Sequence, residues 1–209
     1  MPTDPKIWGL ALIGGILPSL FWLWFWLKEE NKKPEPKTIL SMVFVTGIFA
    51  VILVLPIQKF ILTYVDNVNG KLVLWAATEE ILKFLAVFVV IYKTKYDHKP
   101  IDWPIYLVTS ALGFAALENT LFLIKPLSMG DNTLGFLTGG LRFLGSTLLH
   151  AVASGVLGLF IGFSLHKRIF SREFYFIVGL SLAIALHSIF NFFIIKNSGN
   201  DFLKVFALL

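Results

Sequence analysis

The sequence predicts an all-α protein, a polytopic transmembrane helical bundle of about six spans, and three observations carry that reading. Of the 209 residues, 56% are hydrophobic and only 15% charged, which is too apolar for an ordinary soluble domain. Several apolar runs approach or exceed the roughly 20 residues that cross a hydrocarbon core of about 30 Å. The connections KEENKKPEPK, VDNVNGK, KTKYDHKPID, KPLSMGDN and HKRIFSRE are short and polar, with no room for a soluble domain. Residues 1–209 therefore read as a single membrane-embedded domain.

The first span, about 7–27, has no basic leader and no small-residue cleavage site, and KEENKK follows it. It reads as a span closed by a stop-transfer signal, not as a cleavable signal peptide. Trp22, Trp24 and Trp26 stand just before Lys28, as residues of an interfacial aromatic belt do, and Pro18 reads as the only mid-span proline. The second span, about 39–63, starts after Pro34 and Pro36, and the fourth, about 104–124, lies between Pro100 and Pro126; proline terminates helices. The third covers about 72–92. The fifth, about 142–165, carries Gly158 and Gly162 in a GxxxG arrangement that permits close helix approach. The sixth covers about 174–195. The many Phe residues read as lipid-facing or core packing. The chain has no cysteine, which excludes disulfides and thiol nucleophiles, and no repeat that would suggest an inverted-repeat transporter.

The net charge is +5, but the basic residues sit in the connections, where they set topology. Nucleic acid is not the expected partner; the lipid bilayer is. Lys28, Lys32, Lys33, Lys37, Lys93, Lys95, Lys99, Lys167, Arg168 and Arg172 follow the first, third and fifth spans. The other side holds Lys6, Lys59, Lys71, Lys125, Lys196 and Lys204, with Arg142 at the entrance of the fifth span. The excess of positive charge inside puts both termini outside, in what reads as the cell membrane.

Within the spans a few residues are out of place. WAATEEILKFLAVFVV, residues 75–90, carries Glu79, Glu80 and Lys83; the next three spans carry Glu118, His150 and His187. A charge at mid-bilayer costs roughly 2.5–3.5 kcal/mol even on the lenient insertion scale. Glu79 lies eight residues after Lys71, Glu118 seven before Lys125, His150 eight after Arg142 and His187 nine before Lys196. At about 1.5 Å per residue all four sit roughly 10–14 Å below the outer face. One site shared by four helices is the economical reading. Lys83 stands at i+4 from Glu79 and i+3 from Glu80, beside both carboxylates, and Asn191 shares a face with His187. Arg142, Ser146, His150 and Ser154 form a polar stripe at the same spacing. His98 and His166 fall in basic connections and read as solvated.

Carboxylates, imidazoles and an amide are the parts of a water-activating site. One of Glu79 and Glu80 can act as general base, with Lys83 tuning the pair. His150, His187 and Glu118 can hold a zinc ion whose bound water becomes nucleophilic near neutral pH; alternatively the imidazoles and Asn191 stabilise an oxyanion. Hydrolysis of a bond within or just above the membrane suits these parts.

EEILK (79–83), GFAALEN (113–119), HAVASGVLG (150–158) and HSIFN (187–191) resemble the four intramembrane motifs of the PrsW family of membrane proteases, relatives of the CAAX-prenyl and bacteriocin-processing proteases. The resemblance covers spans three to six, about 72–195, as the catalytic core. It implies an endopeptidase that cuts membrane proteins, typically a single-span anti-sigma factor on its outer side. The CAAX branch would show EExxxR, but Phe84 occupies the last position, and FxxxH, but Phe114 is followed at the fourth place by Glu118. The rival classes are a proton- or cation-coupled transporter and a non-enzymatic partner protein whose polar cluster only fixes helix packing.

With both termini outside, tags at residues 1 and 209 are expected to be accessible on intact cells and a tag beside Lys95 protected. The reverse labelling pattern would place the site in the cytoplasmic half.

Overall fold

The protein is described by a computed structural model covering residues 4–28, 35–94, 99–129 and 145–198, with side chains to residue 193. Six helices follow in order: α1 (Pro5–Lys28), α2 (Lys37–Tyr64), α3 (Val68–Lys93), α4 (Asp102–Ser128), α5 (Thr147–Ser164) and α6 (Ile169–Ser198). Each corresponds to one expected span. Arg142, His98, Lys95 and Lys204 lie outside the described residues, so the expected stripe on α5 is described only from Ser146 inward.

Among the described residues, α1, α2, α4, α5 and α6 are long and apolar enough to cross a membrane. α3 has 26 residues, about 39 Å of helix, but its three central charges break the apolar window. The protein is thus an integral membrane bundle in which the third helix is the exception.

Boundaries moved where local chemistry overrode composition. α3 begins four residues earlier than expected because Asn67 caps it, its side-chain oxygen accepting from the Gly70 N–H at 3.0 Å, as short polar residues do at helix starts. α4 runs through Pro126 to Ser128. Pro56 lies inside α2 on its exposed face, so mid-span proline is not confined to Pro18 as expected; membrane helices tolerate proline where local adjustment satisfies the freed backbone groups.

α2, α3, α6, α5 and α4 pack in that cyclic order, and α1 lies outside the ring, mainly against α4. α4 is the most enclosed: residues 106–116 are all buried. Small residues make that enclosure possible, since helices in lipid associate through close backbone packing. A Cβ added at Gly113 would come within 2.9 Å of the Phe44 carbonyl carbon on α2, and one at Gly158 within 2.5 Å of the Pro104 Cα. The GxxxG expected on the fifth helix therefore does bring α5 against α4. The outer surface is apolar: Phe49, Phe60 and Phe88 are exposed, as lipid contact requires. Trp24 is exposed and lies under the Lys28 ammonium at 5.3 Å.

Gly113→Ala is expected to destabilise the purified protein by about 1–3 kcal/mol through overpacking, although alanine is the better helix former by up to about 1 kcal/mol. Gly9→Ala, where nothing lies within 4 Å, should be neutral or slightly stabilising. Thermal unfolding in detergent distinguishes them; equal midpoints would refute the close-crossing account.

Candidate active site

The ring encloses a polar centre to which each of its five helices contributes. On α3, the spacing of Glu79, Glu80 and Lys83 turns all three inward, and each is at most 2% exposed. Lys83 Nζ donates to Glu80 Oε1 at 2.8 Å and lies 3.8 Å from Glu79 Oε2. It also rests 4.5 Å above the Phe114 ring. An isolated buried ion costs several kcal/mol, so partners of this quality are a requirement.

The two carboxylates are treated differently. Glu80 is saturated: Oε1 accepts from Lys83 and from His187 Nδ1 at 2.9 Å, and Oε2 accepts from Ser154 Oγ at 2.6 Å. Glu79 accepts one hydrogen bond, from Gln58 Nε2 on α2 to Oε1 at 2.9 Å. Its Oε2 is buried without a hydrogen-bond partner, an arrangement that buried polar atoms rarely adopt.

The partners of the two imidazoles settle their tautomers. A carboxylate oxygen only accepts, so His187 Nδ1 carries the proton given to Glu80, and in the neutral imidazole Nε2 is then the lone-pair side. An ammonium only donates, so His150 Nδ1, 2.7 Å from Lys83 Nζ, is an acceptor and Nε2 donates to Glu118 Oε2 at 3.0 Å. His187 Nε2 is 3.6 Å from the orphaned Glu79 Oε2, and His150 Nδ1, whose lone pair accepts from Lys83, is 4.0 Å from it. Buried acceptors gathered at one point favour a cation among them, and the Lys83 ammonium already stands there, 2.7 Å from His150 Nδ1 and 3.8 Å from Glu79 Oε2.

Glu79, His150 and His187 offer three ligand atoms within 4.8 Å of one another. A tetrahedral ion with nitrogen and oxygen donors at about 2.0–2.2 Å keeps neighbouring donors about 3.4 Å apart, so the trio would hold a metal once these donors draw closer and Lys83 gives up His150 Nδ1. It is also supported as metal centres are, each imidazole giving its far N–H to a carboxylate. The trio differs from the expected one: Glu79 takes the place of Glu118, which binds the far nitrogen of His150 instead.

Six of the seven expected residues thus meet. Asn191 does not: it is partly exposed and makes no hydrogen bond to the other six. Gln58 and the role of Ser154 were missed. Gln58 carries no charge and so no anomalous cost in the apolar pattern; only its position beside Lys59, near the outer end of a span, was available as a signal. The site abuts a cavity of about 10 Å³ lined by Gln58, Glu79 and Glu118 among apolar side chains, about enough for one water. A cavity of about 300 Å³ between α1, α4 and α5, lined by residues such as Leu23, Val108 and Gly155, touches none of these groups.

Carboxylates and imidazoles joined by hydrogen bonds inside a ring of apolar helices are the parts of a membrane-embedded hydrolase, and comparison with known proteins names the class. The sequence pattern of the PrsW family intramembrane metalloproteases matches residues 35–209, and the chain belongs to that family. It is similar to Protease PrsW of Geobacillus kaustophilus, at 29% identity over 93% of this chain and 84% of that one. Protease PrsW of Clostridioides difficile is 25% identical over 85% and 76% of the two chains, and that of Shouchella clausii 28% over 87% and 81%. No solved structure matches the chain. The protein is therefore an intramembrane protease of the metallo type, and neither the transporter nor the purely structural alternative is needed.

Lys83→Met is expected to cost about 3–5 kcal/mol, because Glu80 would keep its charge without the ammonium. Lys83→Met combined with Glu80→Gln should recover part of that loss. A double-mutant cycle by chemical unfolding measures it, and additive losses would show that the pair is not coupled.

Proposed function

We propose that the protein is an intramembrane endopeptidase that hydrolyses a peptide bond of a single-span, anti-sigma-factor-like membrane protein near the outer face, using glutamate-activated water. The observation that carries this is Glu79 Oε2, a buried carboxylate oxygen without a hydrogen bond, beside the ring nitrogens of two imidazoles. Glu79, His150 and His187 would hold the metal, with zinc the ion best matched to such donors. When bound, that ion supplies Lewis acidity to the substrate carbonyl and to water.

The other residues divide the remaining work. Glu80 holds His187 in the tautomer that directs Nε2 inward, and Lys83 and Ser154 hold Glu80. Glu118 is only 13% exposed and fixes His150, yet it lines the same small cavity as Glu79. It is placed to take a proton from water as the oxygen adds to the scissile carbonyl carbon. The same carboxyl then gives that proton to the amine nitrogen as the carbon–nitrogen bond breaks. Asn191, one turn beyond His187, is left to donate to the substrate backbone. The lipid-exposed exterior keeps bulk water away, so these dipoles act at low dielectric.

The depth of the motifs and the charge bias of the connections support a site in the outer half of the membrane and termini on the outside. In reconstituted vesicles holding a single-span anti-sigma-factor-like substrate, the wild type should cleave. Glu79→Gln should abolish cleavage, and Glu118→Gln should slow it about 10²–10⁴-fold, the usual worth of a positioned acid–base. A strong chelator should remove activity and zinc restore it. Wild-type rates in both variants would overturn the assignment of roles, and activity indifferent to chelation would overturn the metal.

A further inference from the structure

We infer that Gln58, on α2, is a positioning residue for the metal centre: its amide takes one oxygen of Glu79 and thereby aims the other. The inference rests on the reading of Glu79 as a cation ligand. Glu79 is a long side chain whose carboxylate plane must be held by something. Its neighbours at Oε2 stand at 3.6, 3.8 and 4.0 Å, beyond the reach of a hydrogen bond. Gln58 Nε2, at 2.9 Å from Oε1, is the one group that fixes it. Glu80 needs no such help, having three donors of its own.

Gln58 is itself held in place. It is 4% exposed, and its backbone carbonyl accepts from the indole nitrogen of Trp75 at 3.4 Å. Trp75 is 2% exposed and sits one turn before Glu79 on α3. The contact between α2 and α3 is therefore made twice at one level, by the Trp75 indole to the Gln58 backbone and by the Gln58 amide to Glu79. The amide also lines the water-sized cavity it shares with Glu79 and Glu118. A neutral donor suits this place: it orients a carboxylate without cancelling the charge a cation needs, as supporting partners of metal ligands do.

The test uses the full-length protein in lipid nanodiscs, as wild type, Gln58→Met, Gln58→Asn and Glu79→Gln. Zinc alone is titrated against a chelator of known affinity, and thermal unfolding is followed in parallel. Methionine keeps the length and volume but has no donor; asparagine keeps the amide but withdraws it by one methylene. Both Gln58 variants are expected to bind zinc about 10–100-fold more weakly than wild type while melting near the wild-type temperature. With cobalt in place of zinc, their visible absorption should shift as the carboxylate changes orientation. Folded Gln58 variants that bind zinc within about twofold of wild type, beside a Glu79→Gln protein that has lost it, overturn the inference; the effect predicted for such partners is far larger. So does a loss of affinity that merely follows loss of folded protein. If Glu79→Gln itself binds zinc as wild type does, the ligand reading fails instead.

Discussion

Two carboxylates and one ammonium lie within a single buried turn of α3, and the rest of the bundle is arranged to tolerate them. Lys83 neutralises one of the carboxylates, and the charge that remains must be met by donors from elsewhere. Those donors come from Gln58 on α2, Ser154 on α5 and His187 on α6, while α4 supplies Glu118 to hold His150. Because breaking a buried charge network is expensive, this geometry also fixes which helices must be neighbours. The close α2–α4 and α4–α5 crossings through Gly113 and Gly158 are what bring the donors within range.

The asymmetry between Glu79 and Glu80 follows from where their helix faces point. Glu80 looks toward α5 and α6, where a hydroxyl and an imidazole N–H wait. Glu79 turns Oε1 toward α2 and the small cavity, where a single amide meets it, and leaves Oε2 beside the two imidazoles without a hydrogen bond. A site in which one carboxylate is saturated and the next is left half-satisfied gives two adjacent residues quite different surroundings. Fully satisfied polar networks rigidify, and an unsatisfied atom at their edge is where a ligand gains most.

Much of this was legible beforehand, for a physical reason. Ionisable groups in an apolar span stand out against their background, and equal spacing from the nearest interfacial charge gives depth at 1.5 Å per residue. Those two readings brought Glu79, Glu80, Lys83, Glu118, His150 and His187 to one level, and in the structure they meet. Depth, however, carries no information about which face of one helix meets which face of another. Hence Glu118 was expected beside both imidazoles and instead holds the outer nitrogen of one. Asn191 shares a face with His187 but stands a turn away from the cluster. Gln58 passed unnoticed because an uncharged amide leaves little trace in a hydropathy profile, and Pro56 because a proline within a membrane helix need not end it.

The exceptional character of α3 has a consequence for how the chain is made. A segment enters lipid from the translocation machinery when its own apolarity outweighs its charges, and α3 alone among the six helices fails that criterion. Lys83 lies one turn from both glutamates, so part of the penalty is relieved within the segment as soon as it becomes helical. The remainder falls to the flanking segments, α2 and α4, each long and apolar enough to cross a membrane. Partitioning of α3 therefore leans on its neighbours, because the buried charges that knit the bundle together are the ones that keep this segment from entering lipid on its own apolarity.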